Sequence, residues 1–187
     1  MNPRCEWAKE KVEINYHDKE WGVPLHNDRK LFEFLVLEGM QAGLSWRIIL
    51  RKREEFRKAF DNFRVQKIAN YDKMKVEQLC SNPSIIRNRK KIEATIINAN
   101  ACLEIQKEFG SFDTYIWNFV SYKPIQNSWK SYKEVPSTTQ ESDLICKDLR
   151  KRGFKFVGSR ICYSMMQAVG MVNDHTLDCF RYRGLSN

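Results

Sequence analysis

The stretch Asp28-Arg29-Lys30-Leu31-Phe32-Glu33-Phe34-Leu35-Val36-Leu37-Glu38-Gly39-Met40-Gln41-Ala42-Gly43-Leu44-Ser45-Trp46 decides the fold class. Leu31, Phe34, Leu35, Glu38 and Ala42 recur at i, i+3, i+4, i+7 and i+11, which is one face of an α-helix. Asp28 reads as the N-cap of that helix and Gly43 as its end. Ser45 then caps a second helix carrying Trp46, Ile49, Leu50, Arg53 and Phe56. The same periodicity predicts helices around 64–70, 74–80, 86–108, 112–120, 139–152 and 159–170. Alternating strand patterns are nearly absent, and Pro124 and Pro136 mark residues 121–138 as a loop. The expected class is all-α, one domain over 1–187.

Composition agrees with a folded protein. Over 187 residues, hydrophobic side chains make up 42% and aromatics 12%, enough for a core. No apolar run approaches the ~20 residues that span a bilayer, so no membrane partner is expected. Met1 to Trp7 lacks an apolar signal core, and a cytoplasmic location is expected. The 32 Lys and Arg against 23 Asp and Glu leave +9, which favours a polyanionic partner without naming one.

Within the first helix one residue is out of place. Glu33 falls on the polar side, but Glu38 shares the stripe of Leu31, Phe34 and Leu35. An ionised carboxylate is costly to bury unless a cation or hydrogen-bond donors meet it. Two readings follow: a structural ion pair with one of the many Arg or Lys residues, or a pocket acid that awaits a ligand. Tyr16, Trp21 and Trp46 flank Glu38 in sequence. Aromatic walls with one carboxylate suit a flat, electron-poor or cationic ring, although each aromatic alone is an ordinary core residue.

The six cysteines include no C-x-x-C pair, so a disulfide framework is not expected. Cys80, Cys102, Cys146 and Cys162 lie in apolar helical patterns and read as small hydrophobes. Cys5 and Cys179 lie near histidines. His175 and Cys179 would project from one face of a helix, and Cys5 and His17 sit at the other end of the chain. Together they form a possible structural zinc set of two thiolates and two imidazoles, or a coincidence of spacing. His26 reads as a surface-loop residue.

Near the C-terminus, Lys151-Arg152-Gly153-Phe154-Lys155-Phe156-Val157-Gly158-Ser159-Arg160 places a glycine-bearing turn between two helices. Such a turn presents backbone N–H groups to an anion at the next helix start; the plainer reading is a hairpin with a solvated basic face. Arg87-Asn88-Arg89-Lys90-Lys91 is a candidate second phosphate contact. Arg51-Lys52-Arg53-Glu54-Glu55 reads as an ordinary exposed helix face.

Three blocks together carry a resemblance that spans essentially the whole chain. They are Tyr16-His17-Asp18 with Glu20-Trp21-Gly22-Val23-Pro24, then Leu37-Glu38-Gly39 running on through Trp46, then Arg152 to Gly158 continuing to Val172-Asn173-Asp174-His175. In order and spacing they resemble the DNA-3-methyladenine glycosylase I family, bacterial base-excision repair enzymes of the helix-hairpin-helix superfamily.

The resemblance implies a helix-hairpin-helix glycosylase fold with the hairpin near 150–170, and a monofunctional enzyme that flips and excises 3-methyladenine from double-stranded DNA. It implies one structural zinc on Cys5, His17, His175 and Cys179, joining the ends of the chain. It implies base contacts from Glu38 and Tyr16, the former catalytic, with stacking by Trp46 and a wall from Trp21. Gly43 and Leu44 would intrude into the duplex, and Gly153, Lys155, Gly158 and Arg160 would hold the DNA backbone. Action as a monomer, at the bacterial chromosome, is expected. Asn173 stands where the wider superfamily places a catalytic Asp, and no Schiff-base lysine is indicated, so no lyase step is implied. Two rival expectations are a non-catalytic binder of lesions or abasic sites with the same fold, and a zinc-stabilised interaction protein with an incidental basic face.

Overall fold

The structure is a computed structural model and describes residues 3–185. Ten α-helices are found among the described residues: α1 Lys11–Lys19, α2 Asp28–Gln41, α3 Trp46–Ala59, α4 Val65–Ile68, α5 Lys73–Ser81, α6 Arg89–Phe109, α7 Phe112–Trp117, α8 Gln140–Lys151, α9 Ser159–Ala168 and α10 Phe180–Gly184. The mostly helical class agrees with the sequence reading. Residues 121–138 are largely loop, as expected, with a single 3₁₀ turn at Tyr132–Glu134. A two-residue strand β1 (Ile125–Gln126) pairs in parallel with β2 (Val172–Asn173), Ile125 opposite Val172 and Gln126 opposite Asn173. That short ladder stitches the loop to the C-terminal segment.

Helix α2 sits at the centre. It packs against α3, α6, α7 and α9, and every residue from Leu31 to Met40 is buried. The one-sided stripe expected of a surface helix is therefore corrected. Glu33 is not on a polar face: it is buried and receives Arg53 Nε at 2.7 Å and Arg57 Nη2 at 2.7 Å. Arg53 is accordingly buried as well, unlike the exposed face expected for 51–55. Two buried charges are tolerable here because each meets its opposite with good geometry.

The N-cap of α2 is Asn27, whose Oδ1 accepts from Lys30 N at 3.1 Å, and not Asp28. Asp28 caps a different helix. Its carboxylate accepts the N–H groups of Phe112 and Asp113, each at 2.9 Å, and so satisfies the start of α7. Helix α1 was not expected from periodicity. It opens on a capping box between Glu10 and Glu13 and carries Tyr16 and His17 inward.

The segment after α9 crosses closely over the one after α1. A Cβ on Gly170 would lie 2.4 Å from Pro24 N and from the Val23 carbonyl carbon, and Gly170 has φ +73°, so only glycine fits. Gly22 N donates to the Gln167 carbonyl and Leu25 N to the Val169 carbonyl, each at 3.0 Å. This crossing fixes Trp21 beside α9 and sets one wall of the site described next.

Candidate active site

A cavity of about 370 Å³ opens among α1, α2, α3 and α9. Tyr16 and Glu13 reach it from α1, Glu38 and Gln41 from α2, Trp46 and Arg47 from α3, and Ser164 and Gln167 from α9; Trp7, Trp21, Ser45 and Tyr132 complete the lining. The structure thus brings together Tyr16, Trp21, Glu38 and Trp46, which the sequence singled out. The Tyr16 and Trp46 rings are 5.7 Å apart, and Trp7 meets Trp21 edge-on at 5.0 Å. Five aromatic residues, Trp7, Tyr16, Trp21, Trp46 and Tyr132, thus share the wall with polar and charged side chains.

Glu38 is the chemical centre. It is 4% exposed, and among the described residues it makes no ion pair and no hydrogen bond. Burial alone pushes its pKa up to about 8. The two readings left open for a buried acid on α2 therefore divide between two residues: Glu33 has the structural ion pair, and Glu38 faces a cavity without a partner. Burial, and then the Glu38 charge, hold the Tyr16 phenol well above its ordinary pKa, so Tyr16 remains a neutral hydroxyl.

At the mouth, Arg47 Nε donates to Glu13 Oε1 at 3.0 Å and Arg47 Nη1 to Glu10 at 2.5 Å. Hydrogen bonds from the Glu10 backbone and Arg47 outweigh burial and lower the Glu13 pKa. The cavity consequently holds one ionised, neutralised carboxylate at the rim and one unpartnered carboxyl inside. Trp7 lines the cavity, and its indole N–H is buried without an acceptor among the described residues. Trp7, Glu13, Gln41, Ser45, Arg47, Tyr132, Ser164 and Gln167 were not singled out from sequence. They come from segments whose approach depends on tertiary packing, and only the Trp7 to Trp21 aromatic density offered a signal.

Beside the cavity lies the Cys and His cluster. Cys5, His17, His175 and Cys179 are all buried, with ligand atoms within 4.8 Å of one another. Cys5 Sγ is 3.5 Å from His175 Nδ1, and Cys179 Sγ is 3.4 Å from both His17 Nε2 and His175 Nδ1. A tetrahedral zinc with ordinary bond lengths spaces sulfur and nitrogen ligands ~3.6 Å apart. The outer ring nitrogens are engaged as well: His17 Nδ1 lies 2.8 Å from Asp18 Oδ1, and His175 Nε2 lies 3.2 Å from the Trp21 carbonyl. Those acceptors leave His17 Nε2 and His175 Nδ1 facing inward, the arrangement metal-bound imidazoles adopt.

Two thiols this close cannot both ionise unaided. A hydrogen bond to Cys179, together with burial, pushes Cys5 up, and hydrogen bonds from Cys5 and both imidazoles pull Cys179 down. A dication among them removes that conflict, so these residues fit a metal. One expectation is corrected. His175 and Cys179 do not share a helix, because α10 begins only at Phe180; a turn closed by Cys179 N donating to the Thr176 carbonyl at 2.8 Å brings them together. Asn173 lies outside the cavity lining. Its amide donates to Gln126 and to the Tyr182 carbonyl while accepting from His175 N. Asn173 is thus a structural peg beneath the cluster.

The glycine-bearing turn between α8 and α9 has its expected form. Gly153 has φ +92°, Gly153 N donates to the Arg150 carbonyl and Phe154 N to the Leu149 carbonyl, each at 3.0 Å. This is a Schellman motif, which requires glycine after the C-cap. Gly158 then opens α9, with no side chain capping it. Lys155 and Arg160 are exposed and in no ion pair among the described residues. Arg152 is committed elsewhere, to Asp148 at 2.7 Å and Glu108 at 2.6 Å. Gly43 has φ +81° with open space around it, and Leu44 beside it is 38% exposed. His26 lies on the surface as expected, although Asp113 engages it at 3.0 Å. All six cysteines are free.

Comparison with known proteins agrees with this geometry. The family model described as methyladenine glycosylase matches residues 7–182. DNA-3-methyladenine glycosylase 1 of Escherichia coli (strain K12) is 46% identical over 182 residues, covering 97% of each chain. A crystal structure of 3-methyladenine DNA glycosylase I is 48% identical with a TM-score of 0.93, covering 95% of this chain and 98% of that one. A variant of 3-methyladenine DNA glycosylase I in complex with 3-methyladenine is 34% identical with a TM-score of 0.92, covering 96% of this chain and 97% of that one. The chain belongs to the methyladenine glycosylase family.

Proposed function

We propose that the cavity around Glu38 is where a flipped, cationic base is held while its bond to deoxyribose is hydrolysed. The chain is a DNA glycosylase that excises 3-methyladenine from alkylated DNA in base-excision repair. The observation that carries the site assignment is Glu38: a buried carboxyl without a partner, inside an aromatic cavity of about 370 Å³.

The chemistry follows from how little catalysis the lesion needs. A 3-methylated adenine in DNA is already cationic, so it is a good leaving group and no strong acid is required. The enzyme must extrude the nucleotide, at a few kcal/mol of unstacking, and recover that through contacts to the base. Glu38 accepts the exocyclic N–H and offsets the positive charge. Tyr16 orients the ring, and Trp46 and Trp21 enclose it. Normal adenine is neutral and gains less from each of these, which is the basis of selection. Water then attacks the anomeric carbon as the base departs. Asn173 is fixed by three hydrogen bonds outside the cavity lining and supplies no base for that water.

Gly43 and Leu44 form an exposed apolar turn next to the cavity, suited to filling the gap a flipped nucleotide leaves. Gly153, Lys155, Gly158 and Arg160 form the helix-hairpin-helix contact to backbone phosphate, supported by an uncapped helix start and two unpaired cations. Cys5, His17, His175 and Cys179 would hold one zinc. With four protein ligands the metal would be closed to water and structural, fastening the chain ends next to Trp21. A single domain over 1–187 that acts as a monomer belongs to the same reading. Among the described residues no helix is long and apolar enough to cross a membrane, and a chromosomal substrate fits a cytoplasmic, DNA-associated location.

The test is base release from duplex DNA treated with a methylating agent, with the products resolved by identity. Release of 3-methyladenine ahead of 7-methylguanine and unmodified adenine is expected; equal release of unmodified purines would contradict the cation-selective pocket.

A further inference from the structure

The basic run 87–91, a candidate phosphate contact from sequence, contains one residue that turns inward. Lys91 is 7% exposed, and its Nζ donates to the Met40 carbonyl at 2.9 Å and the Ala42 carbonyl at 2.6 Å. These are the terminal carbonyls of α2, a helix with no basic residue of its own in its last turn. Helix ends leave such carbonyls unsatisfied, and here a cation from a distant helix satisfies them. Burial lowers the Lys91 pKa, and no carboxylate pairs with it among the described residues. Its ammonium is committed to one task, at the step between Glu38 and the Gly43–Leu44 turn.

Seven residues further along the same face of α6 sits Asn98, about 10 Å away along the axis. Its Oδ1 accepts from Lys155 N at 2.7 Å and its Nδ2 donates to the Lys155 carbonyl at 3.0 Å. The amide thus pairs with the hairpin backbone on both sides, as a neighbouring strand would. The two fastened segments also touch each other: a Cβ on Gly39 would lie 3.5 Å from the Phe156 carbonyl oxygen. Only about 10 Å³ of space remains where α2, α6 and the hairpin meet. Both contacts are longer in sequence than any local cap, at 51 and 57 residues of separation.

We infer that Lys91 and Asn98 make α6 a strut that sets the spacing between the intruding Gly43–Leu44 turn and the phosphate-holding hairpin, so that both engage one duplex while Glu38 meets the flipped base. Both are positioning residues, since both are buried and neither lines the cavity around Glu38. The inference rests on the reading of those two turns as the DNA contacts. A turn held at its base by such hydrogen bonds keeps its tip in register, and misplacement by about 1 Å can cost roughly 100-fold in rate.

The experiment compares Lys91→Met, Lys91→Arg and Asn98→Leu with the wild type in four measurements: affinity for free 3-methyladenine by tryptophan fluorescence, affinity for undamaged duplex, affinity for duplex carrying an abasic-site analogue, and single-turnover base release. Lys91→Met should leave free-base and undamaged-duplex affinity unchanged, while abasic-site preference and base release fall together by roughly 10- to 100-fold. Lys91→Arg, which still donates to two carbonyls, should recover most of both. Asn98→Leu should weaken undamaged duplex as well, because it releases the hairpin. If Lys91→Met does not fold, Asn98→Leu carries the test alone.

Leu44→Ala and Lys155→Ala serve as controls for the underlying reading. If they weaken binding to the abasic-site duplex and the strut variants do not, the strut is wrong and the contact assignment stands. If neither control weakens binding, the contact assignment fails and the strut falls with it. Loss of free-base affinity in Lys91→Met equal to its loss of base release would also overturn the strut, because Lys91 would then act only through the pocket.

Discussion

Glu38→Gln should make the protein more stable, and increasingly so as pH rises. The substitution keeps the side chain's shape and removes its ionisation. In the folded protein the Glu38 pKa is raised from 4.5 to about 8 by burial. The folded state therefore keeps a proton that the unfolded chain releases, so stability is full below about pH 4.5 and declines as pH climbs toward 8. Relative to a group that never ionises, the wild type loses about 1 kcal/mol at pH 5 and about 4 kcal/mol at pH 8 by that linkage. The difference, about 3 kcal/mol, corresponds to a melting temperature gap that widens by about 10 °C for a chain of this size. All other titrating groups are common to both proteins and drop out. The assay is thermal unfolding of both forms at half-unit pH steps from 5 to 8, with any metal content matched. Two curves that stay parallel over this range would refute the claim that Glu38 is a desolvated, unpartnered carboxyl.

Further outcomes follow from the same geometry. Because only ionised Glu38 complements a cationic base, single-turnover excision by the wild type at subsaturating protein, which reports the free protein, should rise by up to about tenfold per pH unit below 8 and then level off; a profile flat from 6 to 8 under those conditions contradicts this. Cys179→Ser should lose the bound metal, measured by elemental analysis of protein purified without chelator, and should lower the melting temperature more than it lowers affinity for free 3-methyladenine. Metal-free wild-type protein would overturn the zinc assignment. Arg53→Met leaves Glu33 buried with Arg57 as its remaining cation, and should cost about 1.5 to 3 kcal/mol in denaturant unfolding. A cost under 1 kcal/mol would mean that the pair is not the structural one.

The helix content was legible because the apolar repeats are long and the glycines few. The stripe on α2 exposed Glu38 as anomalous, yet the same reasoning misplaced Glu33. A one-face pattern presumes a helix with one solvent face, and α2 has neighbours all round, so its polar side also became interior and recruited Arg53 and Arg57. Helix α1 escaped notice because it is nine residues long and starts on glutamates, where polarity hides a capping box. The zinc candidates were found from residue type, although the geometry assumed for His175 and Cys179 was a helix and the molecule uses a turn. The hairpin was readable because Gly153 occupies the left-handed position that closes a Schellman motif. Trp7, Tyr132 and Gln167 were invisible as pocket residues, since nothing local records that the loop after β1, the chain start and α9 converge on Glu38. Asp28 was read as a cap and is one, but for a helix more than 80 residues away.

The central claim is that one buried carboxyl reads the charge of the lesion. The direct measurement is single-turnover release of 3-methyladenine from methylated duplex by wild type and Glu38→Gln, at pH 8 and equal DNA occupancy. Loss of the charge-assisted contact predicts a fall of about 10- to 100-fold in the release rate, with undamaged-duplex affinity unchanged. Release by Glu38→Gln at the wild-type rate would contradict the account.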